Sequence, residues 1–332
     1  MGALSERRRQ TSNRITELRK HLQAAEAIAA GKACVYATGS FGRGEASEHS
    51  DLDLFIVGRR NGKPGSDGKE GSLLKRLDDI RVKAELIEVT RAMAIPEFSG
   101  DGRYLVHYSV DDFTKTLGTP QDDVTNTFTA RLLLLLESCP LVEEAVYHEI
   151  IEDVVAAYWR DYEDHKSAFM PAFLANDILR LWRTFCVNYE ARTERVPDAE
   201  KAKGKVKNYK LKHSRMLTCY SALLVLLALY RLQGTVSPLD AINMIELTPT
   251  KRLEWLLQQD LSDAHETVLE LLSQYEIFLT TTNVSEANII QAFMDKEYSK
   301  KNLEDAYRFG DLMFEALSKI GNDNRFYRLL VV

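Results

Sequence analysis

The stretch Val35-Tyr-Ala-Thr-Gly-Ser-Phe-Gly-Arg-Gly-Glu-Ala-Ser-Glu-His-Ser-Asp-Leu-Asp-Leu-Phe-Ile-Val57 decides the fold. Its opening, Val35 to Ala37, is short, apolar and aromatic-rich, which suits a buried strand. Gly39 and Gly42 bracket Ser40, and Gly44 follows Arg43. A turn this poor in β-carbons lets backbone N–H groups approach a phosphate, and a helix starting there adds the positive end of its dipole. Asp51, Leu52, Asp53 and Leu54 then lead into Phe55-Ile-Val57. Alternate residues of a strand share a face, so Asp51 and Asp53 point one way while Leu52 and Leu54 point into the core. Two carboxylates side by side repel unless something neutralises them. Mg²⁺ (or Mn²⁺) carrying a nucleoside triphosphate does so. The spacing therefore predicts strand, turn and strand, with Gly39 and Ser40 on the phosphates, Arg43 either adding a charge-assisted bond there or stabilising the turn, and Asp51 and Asp53 on the metal.

The rest of the composition is permissive. The 332 residues are 45% apolar and 28% charged, enough for two domains with real cores. A net charge of −6 disfavours a general nucleic-acid surface and leaves room for a local basic groove. Cys34, Cys139, Cys186 and Cys219 lie far apart without metal spacing, and read as reduced thiols. The polar, Arg-rich first ten residues do not read as a secretory signal, and the apolar run over 222–230 is too short for a bilayer. The expectation is a cytoplasmic protein with no membrane partner.

Residues 4–31 carry apolar positions at three- and four-residue steps and predict one N-terminal helix ending at Gly31. The Gly- and charge-rich segment 58–71 predicts a loop beside the site. Leu73, Leu77, Ile80, Ala84 and Ile87 predict a helix over 72–93 with Ser72 as N-cap; the alternative is a strand over 82–89. The next strand falls at 104–110. Beyond about 124 helical periodicity prevails, with prolines at or near the breaks and no predicted strand. The predicted plan is an α/β head with a small mixed sheet over 1–120, followed by an all-α domain over 121–332.

Gly39-Ser40, a spacer of about ten residues, and Asp51-Leu-Asp53 in an apolar strand resemble the active-site signature of the DNA polymerase β-type nucleotidyltransferase superfamily. The fuller form, with Arg43-Gly44-Glu45 and Ser50-Asp51, is most similar to the branch holding the bacterial protein-PII uridylyltransferases and their relatives. The resemblance implies a transferase moving NMP from an NTP to an acceptor, with pyrophosphate released. It also implies a third carboxylate on a later strand, for which Asp101 is the first candidate and Glu85 the second, the latter under the strand reading of 82–89. Segment 102–110, with His107, Ser109 and Val110, is similar to the matching part of that group. In such relatives the helical domain helps hold nucleotide and acceptor. That makes Lys207 and Lys210, with Lys212 and Arg215, candidates for phosphate or nucleic-acid contact; a solvated basic stretch is the alternative. The acceptor stays open between a protein side chain and an RNA or nucleotide hydroxyl, and the oligomeric state is unspecified. A nucleotide-binding regulatory module without transfer is the rival from a different class. An aminoglycoside-type acceptor would call for an acidic pocket from Glu152, Asp153, Asp161, Glu163 and Asp164.

Overall fold

The computed structural model describes residues 2–96, 98, 102, 105–191 and 198–331. The chain divides into two compact units. One comprises Ser5–Arg160, and the other Gly2–Leu4 with Asp161–Val332.

The first unit opens with α1 (Ala3–His21), from Ser5 onward, and α2 (Gln23–Ala29). The sequence predicts one helix here, and the structure bends it at Leu22 while the backbone bonds Leu22 to Leu18 and Glu26 to Leu22 continue across the bend. Gly31 takes the expected left-handed φ of +64°. Strand β1 (Ala33–Ala37) follows, then one helical turn, α3 (Gly39–Gly42), and β2 (Leu54–Gly58).

β1 pairs antiparallel with β2, from Ala33 opposite Gly58 to Ala37 opposite Leu54. Both strands are buried on both faces. Val35, Ala37, Leu54 and Ile56 pack with Leu18, Leu22, Val82 and Leu86 in one core cluster. On the alternate positions Tyr36 stacks on Phe55 at 5.6 Å and meets Tyr147 at 6.1 Å. The period of two thus sorts one strand between two helical layers.

Where a loop is predicted, the chain makes a small hairpin, β3 (Arg60–Pro64) and β4 (Glu70–Ser72). Its footing is Asp111, fully buried, which accepts from the Glu70 N–H, Arg60 and Lys115. Burial alone would raise the Asp111 pKa; these donors hold it below the usual carboxylate range. Local turn chemistry reads as loop because the anchor lies far along the sequence.

Helix α4 (Arg76–Ala92) confirms the helical reading of this segment and removes Glu85 from any strand. Two details differ. Ser72 ends β4, and Lys75 occupies the cap position without a side-chain bond. The stripe of Leu73, Leu77 and Ile80 faces outward, whereas Val82, Leu86 and Val89 face the core. This segment carries apolar stripes on opposite sides, and periodicity alone cannot choose between them.

β5 (His107–Ser109) adds parallel to β2, and the later helices of this unit are α5 (Val110–Thr114), α6 (Gln121–Val124), α7 (Thr127–Leu136) and α8 (Glu144–Tyr158). Between the last two lies β6 (Cys139–Val142), a strand the sequence does not predict. It completes the sheet order β5-β2-β1-β6 by pairing antiparallel with β1. With four residues and Pro140 inside it, β6 is an edge strand whose signal is masked by the flanking helices. β6 belongs to this sheet, and the sheet-bearing unit runs to Arg160. Within it Arg131, fully buried, holds both oxygens of Asp122 at 2.8 and 2.6 Å and the Tyr158 hydroxyl at 3.0 Å.

The second unit is helical among its described residues: α9 (Tyr162–His165), α10 (Ala172–Glu190), α11 (Asp198–Lys210), a π-helical turn (Leu211–Arg215) and α12 (Met216–Gln233). They are followed by α13 (Pro238–Glu246), α14 (Pro249–Leu256), α15 (Ser262–Thr281), α16 (Glu286–Met294), α17 (Lys296–Gly321) and α18 (Arg325–Val331). Helices α16 and α17 are separated at Asp295, whose side chain caps the Tyr298 N–H at 2.7 Å. The run Glu200–Gln233 is long and apolar enough to cross a membrane by length and composition, which the shorter apolar run in the sequence does not suggest. Its most apolar window is 67% buried within the protein, as the central helix of a core is. Cys34 and Cys219 are buried free thiols, while Cys139 and Cys186 are half-buried.

Candidate active site

The site grows out of the β1–β2 ladder. The Thr38 N–H donates to the Asp53 carbonyl at 2.9 Å, carrying the pairing one residue beyond both strands. That places Gly39 beside Asp53, and a Cβ on Gly39 would stand 3.1 Å from Asp53 Oδ2. Gly39 also adopts φ +65°, so glycine is demanded twice over. Gly42 is pressed on the other side: a Cβ there would clash with the Glu137 carbonyl oxygen.

The turn α3 is one helical turn starting from Thr38 as cap. The amides of Gly39, Ser40 and Phe41, being the first in the helix, have no acceptor within it. With only four residues the helix has little macrodipole, so the expected dipole contribution is small. What remains of the predicted cradle is the backbone amides and the half-buried Ser40 hydroxyl.

The segment leading to the carboxylates is itself bonded. The Ser47 N–H donates to Ser50 Oγ at 3.0 Å, the Ser50 N–H returns to the Ser47 carbonyl at 3.1 Å, and Arg14 donates to that same carbonyl. Asp51 is exposed and Asp53 half-buried, while Leu52 and Leu54 are 2% and 3% exposed. The alternation read from the sequence is therefore present, although β2 itself begins only at Leu54.

Arg43 takes the other of its two candidate roles. Its guanidinium is buried and donates to Glu45 at 3.0 Å and to Glu137 at 2.8 Å. Both carboxylates are buried too. This ion-pair cluster clamps the back of the turn to the end of α7. Glu137 belongs to no motif, and its one signal in the sequence is that of an acid closing the run Leu132-Leu-Leu-Leu-Leu136.

The remaining candidates separate. Asp101 lies outside the described residues. Glu85 is half-buried on helix α4. Lys207 and Lys210 are exposed on α11 in the second unit. Of their neighbours, Lys212 lies 3.7 Å over the Tyr307 ring and Arg215 5.1 Å over Phe185. The acids offered for an aminoglycoside pocket include Asp153, paired with Arg60 at 2.6 Å, and Glu163, paired with Lys166 at 2.6 Å.

Among the described residues no three His, Cys, Asp or Glu side chains converge as a self-sufficient metal cage. A carboxylate pair does not need one for Mg²⁺, which is held by one or two carboxylates with the rest of its shell from water and substrate phosphates. The donor set of Asp51 and Asp53 beside an amide-lined turn fits that half-shell.

The glycine turn thus leaves the end of β1, an inner strand of the sheet, with the Asp53 carboxylate held against Gly39. Residues 17–99 match the model of the family described as nucleotidyltransferase domain. The match takes in β1, the turn, both aspartates, the hairpin and α4, and it supports the polymerase β-type superfamily and a general NMP-transfer role for this segment. No curated protein and no solved structure matches the chain.

Proposed function

We propose that the chain is a Mg²⁺-dependent nucleotidyltransferase that moves NMP from an NTP to an acceptor hydroxyl and releases pyrophosphate. The single observation that carries this reading is the Asp53 carboxylate held against Gly39 at the mouth of the turn, with Asp51 two residues away on the same side. The amides of Gly39 to Phe41 and the Ser40 hydroxyl bind the β- and γ-phosphates. Asp51 and Asp53 hold the metal, which supplies charge neutralisation of the phosphate oxygens when bound. Arg43 keeps the turn in shape through Glu45 and Glu137. The work of the site is positioning for in-line attack on the α-phosphorus.

The branch similar to protein uridylyltransferases favours a protein acceptor. An RNA 3′ end or a free nucleotide fits the basic run of α11, with Lys207 and Lys210 as phosphate contacts. The reading puts the protein in the cytoplasm, where NTP, Mg²⁺ and reduced thiols occur together.

Incubation with Mg²⁺, each α-³²P-labelled NTP in turn and cell lysate tests it. Label entering a protein or RNA band is the expected result, and the band names the acceptor class. If no NTP labels any acceptor while one still raises the melting temperature, the nucleotide-binding regulator is the better reading.

A further inference from the structure

A second cleft lies in the sheet-bearing unit, about 380 Å³ in volume, lined by Lys63, Lys69, Ser72, His107, Ser109 and Asp112 among others. It stands away from the nucleotide turn. A Cβ on Gly58 would clash with Ser72 Oγ, so Ser72 sits against the far end of β2. Gly58 follows Asp53 by five residues, which along a strand is roughly 17 Å.

Ser72 and His107 of this cleft form a chain with the buried Asp79. Ser72 Oγ is 2.7 Å from His107 Nε2. His107 Nδ1 faces Asp79 Oδ1 at 3.6 Å. That oxygen is buried and receives no hydrogen bond from the described residues, while Lys83 takes Asp79 Oδ2 at 2.9 Å. The Leu74 N–H donates to Ser72 Oγ at 3.1 Å and so fixes the hydroxyl's position. A buried, unsatisfied carboxylate oxygen beside an imidazole whose other nitrogen meets a hydroxyl is the order nucleophile, base, orienting acid.

We propose that Ser72, His107 and Asp79 form a second active centre, one for acyl transfer from small polar carboxylic esters. Ser72 Oγ bonds to the ester carbonyl carbon as its proton passes to His107 Nε2. The carbon–oxygen bond to the alcohol then breaks, and the alcohol leaves with that proton, so Ser72 carries the acyl group as an ester. Water, giving a proton to His107, attacks this ester; the acid departs and the Ser72 hydroxyl is restored. Asp79 is the positioning residue: its charge, 3.6 Å from Nδ1, favours the tautomer that carries the proton there. Burial lowers the His107 pKa, opposed by Asp79 and Asp112 and aided by Lys83, which keeps the imidazole neutral and able to accept. The cleft's mixture of Lys63, Lys69 and Asp112 selects polar acyl groups over long aliphatic ones.

The test uses the full chain and a fluorophosphonate probe, with the modified peptide mapped by mass spectrometry. Labelling at Ser72 is expected, slowed about a hundredfold or more in His107→Gln, the usual worth of a general base. Turnover of p-nitrophenyl acetate follows the same pattern. Asp79→Asn is expected to shift the pH midpoint of labelling downward, because it removes a charge that favours protonated His107; loss of packing alone leaves that midpoint in place. Ser72→Ala also loses the bond to the Leu74 N–H, so the wild-type to His107→Gln rate ratio decides the matter. Absence of label at Ser72, or equal rates in His107→Gln, overturns the proposal. Nucleotidyl transfer is independent of either result.

Discussion

Two stretches of this chain stand out by composition, and they differ in what holds them. The turn from Gly39 to Asp53 is fixed by constraints from several directions: the ladder bond from Thr38, the carboxylate beside Gly39, the Glu137 carbonyl against Gly42 and the buried Arg43 cluster. The basic run from Lys201 to Arg215 is held along one helix. Lys201, Lys203, Lys205, Lys207 and Lys210 are exposed and Lys212 is half-buried over the Tyr307 ring, while Ala202, Val206, Tyr209 and His213 hold the core side. Charge marks a surface, but steric necessity marks a site. A glycine that only a glycine can occupy says more about chemistry than several lysines in a row.

That contrast breaks most sharply at the aspartates. Asp51→Asn with Asp53→Asn is expected to lower NMP transfer by at least about a hundredfold, the scale of losing a main electrostatic contact to the transition state. The melting temperature stays near wild type, since Asp51 is exposed and Asp53 half-buried. Radiolabel incorporation and a thermal melt measure both halves.

Gly42→Ala is the next largest. The added methyl meets the Glu137 carbonyl, and overpacking of this kind costs about 1–3 kcal/mol. Denaturant unfolding is expected to register that loss together with reduced transfer. Unchanged stability would mean that the turn and the end of α7 move apart freely.

In the second unit the sharpest constraint belongs to a residue outside the charge count. His213 is buried in the π-helical turn, stacked at 4.7 Å on Phe278, with Nδ1 2.9 Å from the Tyr209 carbonyl. Burial pushes its pKa from 6.5 down to about 4. A depressed histidine favours the native state fully above pH 6.5 and progressively less as pH falls towards 4. Between pH 7.5 and 5 the unit is expected to lose about 2 kcal/mol of stability through this group. His213→Phe keeps the ring and removes the proton, so its unfolding free energy is expected to change less over the same range.

The smallest effect is reserved for the lysines. Lys207→Ala with Lys210→Ala is expected to change transfer by about fivefold or less, the worth of exposed ionic contacts. A hundredfold loss would reverse the contrast and make the basic run part of the central machinery.

What the sequence revealed follows the same division. β1, the turn and β2 were legible because glycine spacing, period-two alternation and a carboxylate pair all point one way within 23 consecutive residues. The helix over α4 was legible as a helix, yet its buried face was not, because both sides carry apolar residues. Strand β6 was hidden because its pairing with β1 spans the whole sheet-bearing unit and Pro140 reads as a breaker. Arg43 was legible as important, while its partner Glu137 is supplied from a distant helix end. Long-range partners are what a local reading cannot see.

The most direct test of the metal–nucleotide site is Mn²⁺ binding followed by electron paramagnetic resonance, in the presence of an NTP that cannot be cleaved at its α–β bridge. Nucleotide-dependent uptake of Mn²⁺ by the wild-type chain, lost in the Asp51→Asn, Asp53→Asn variant while the fold is kept, is the predicted result. Equal uptake by both proteins would contradict it and place the metal, and with it the chemistry, elsewhere in the molecule.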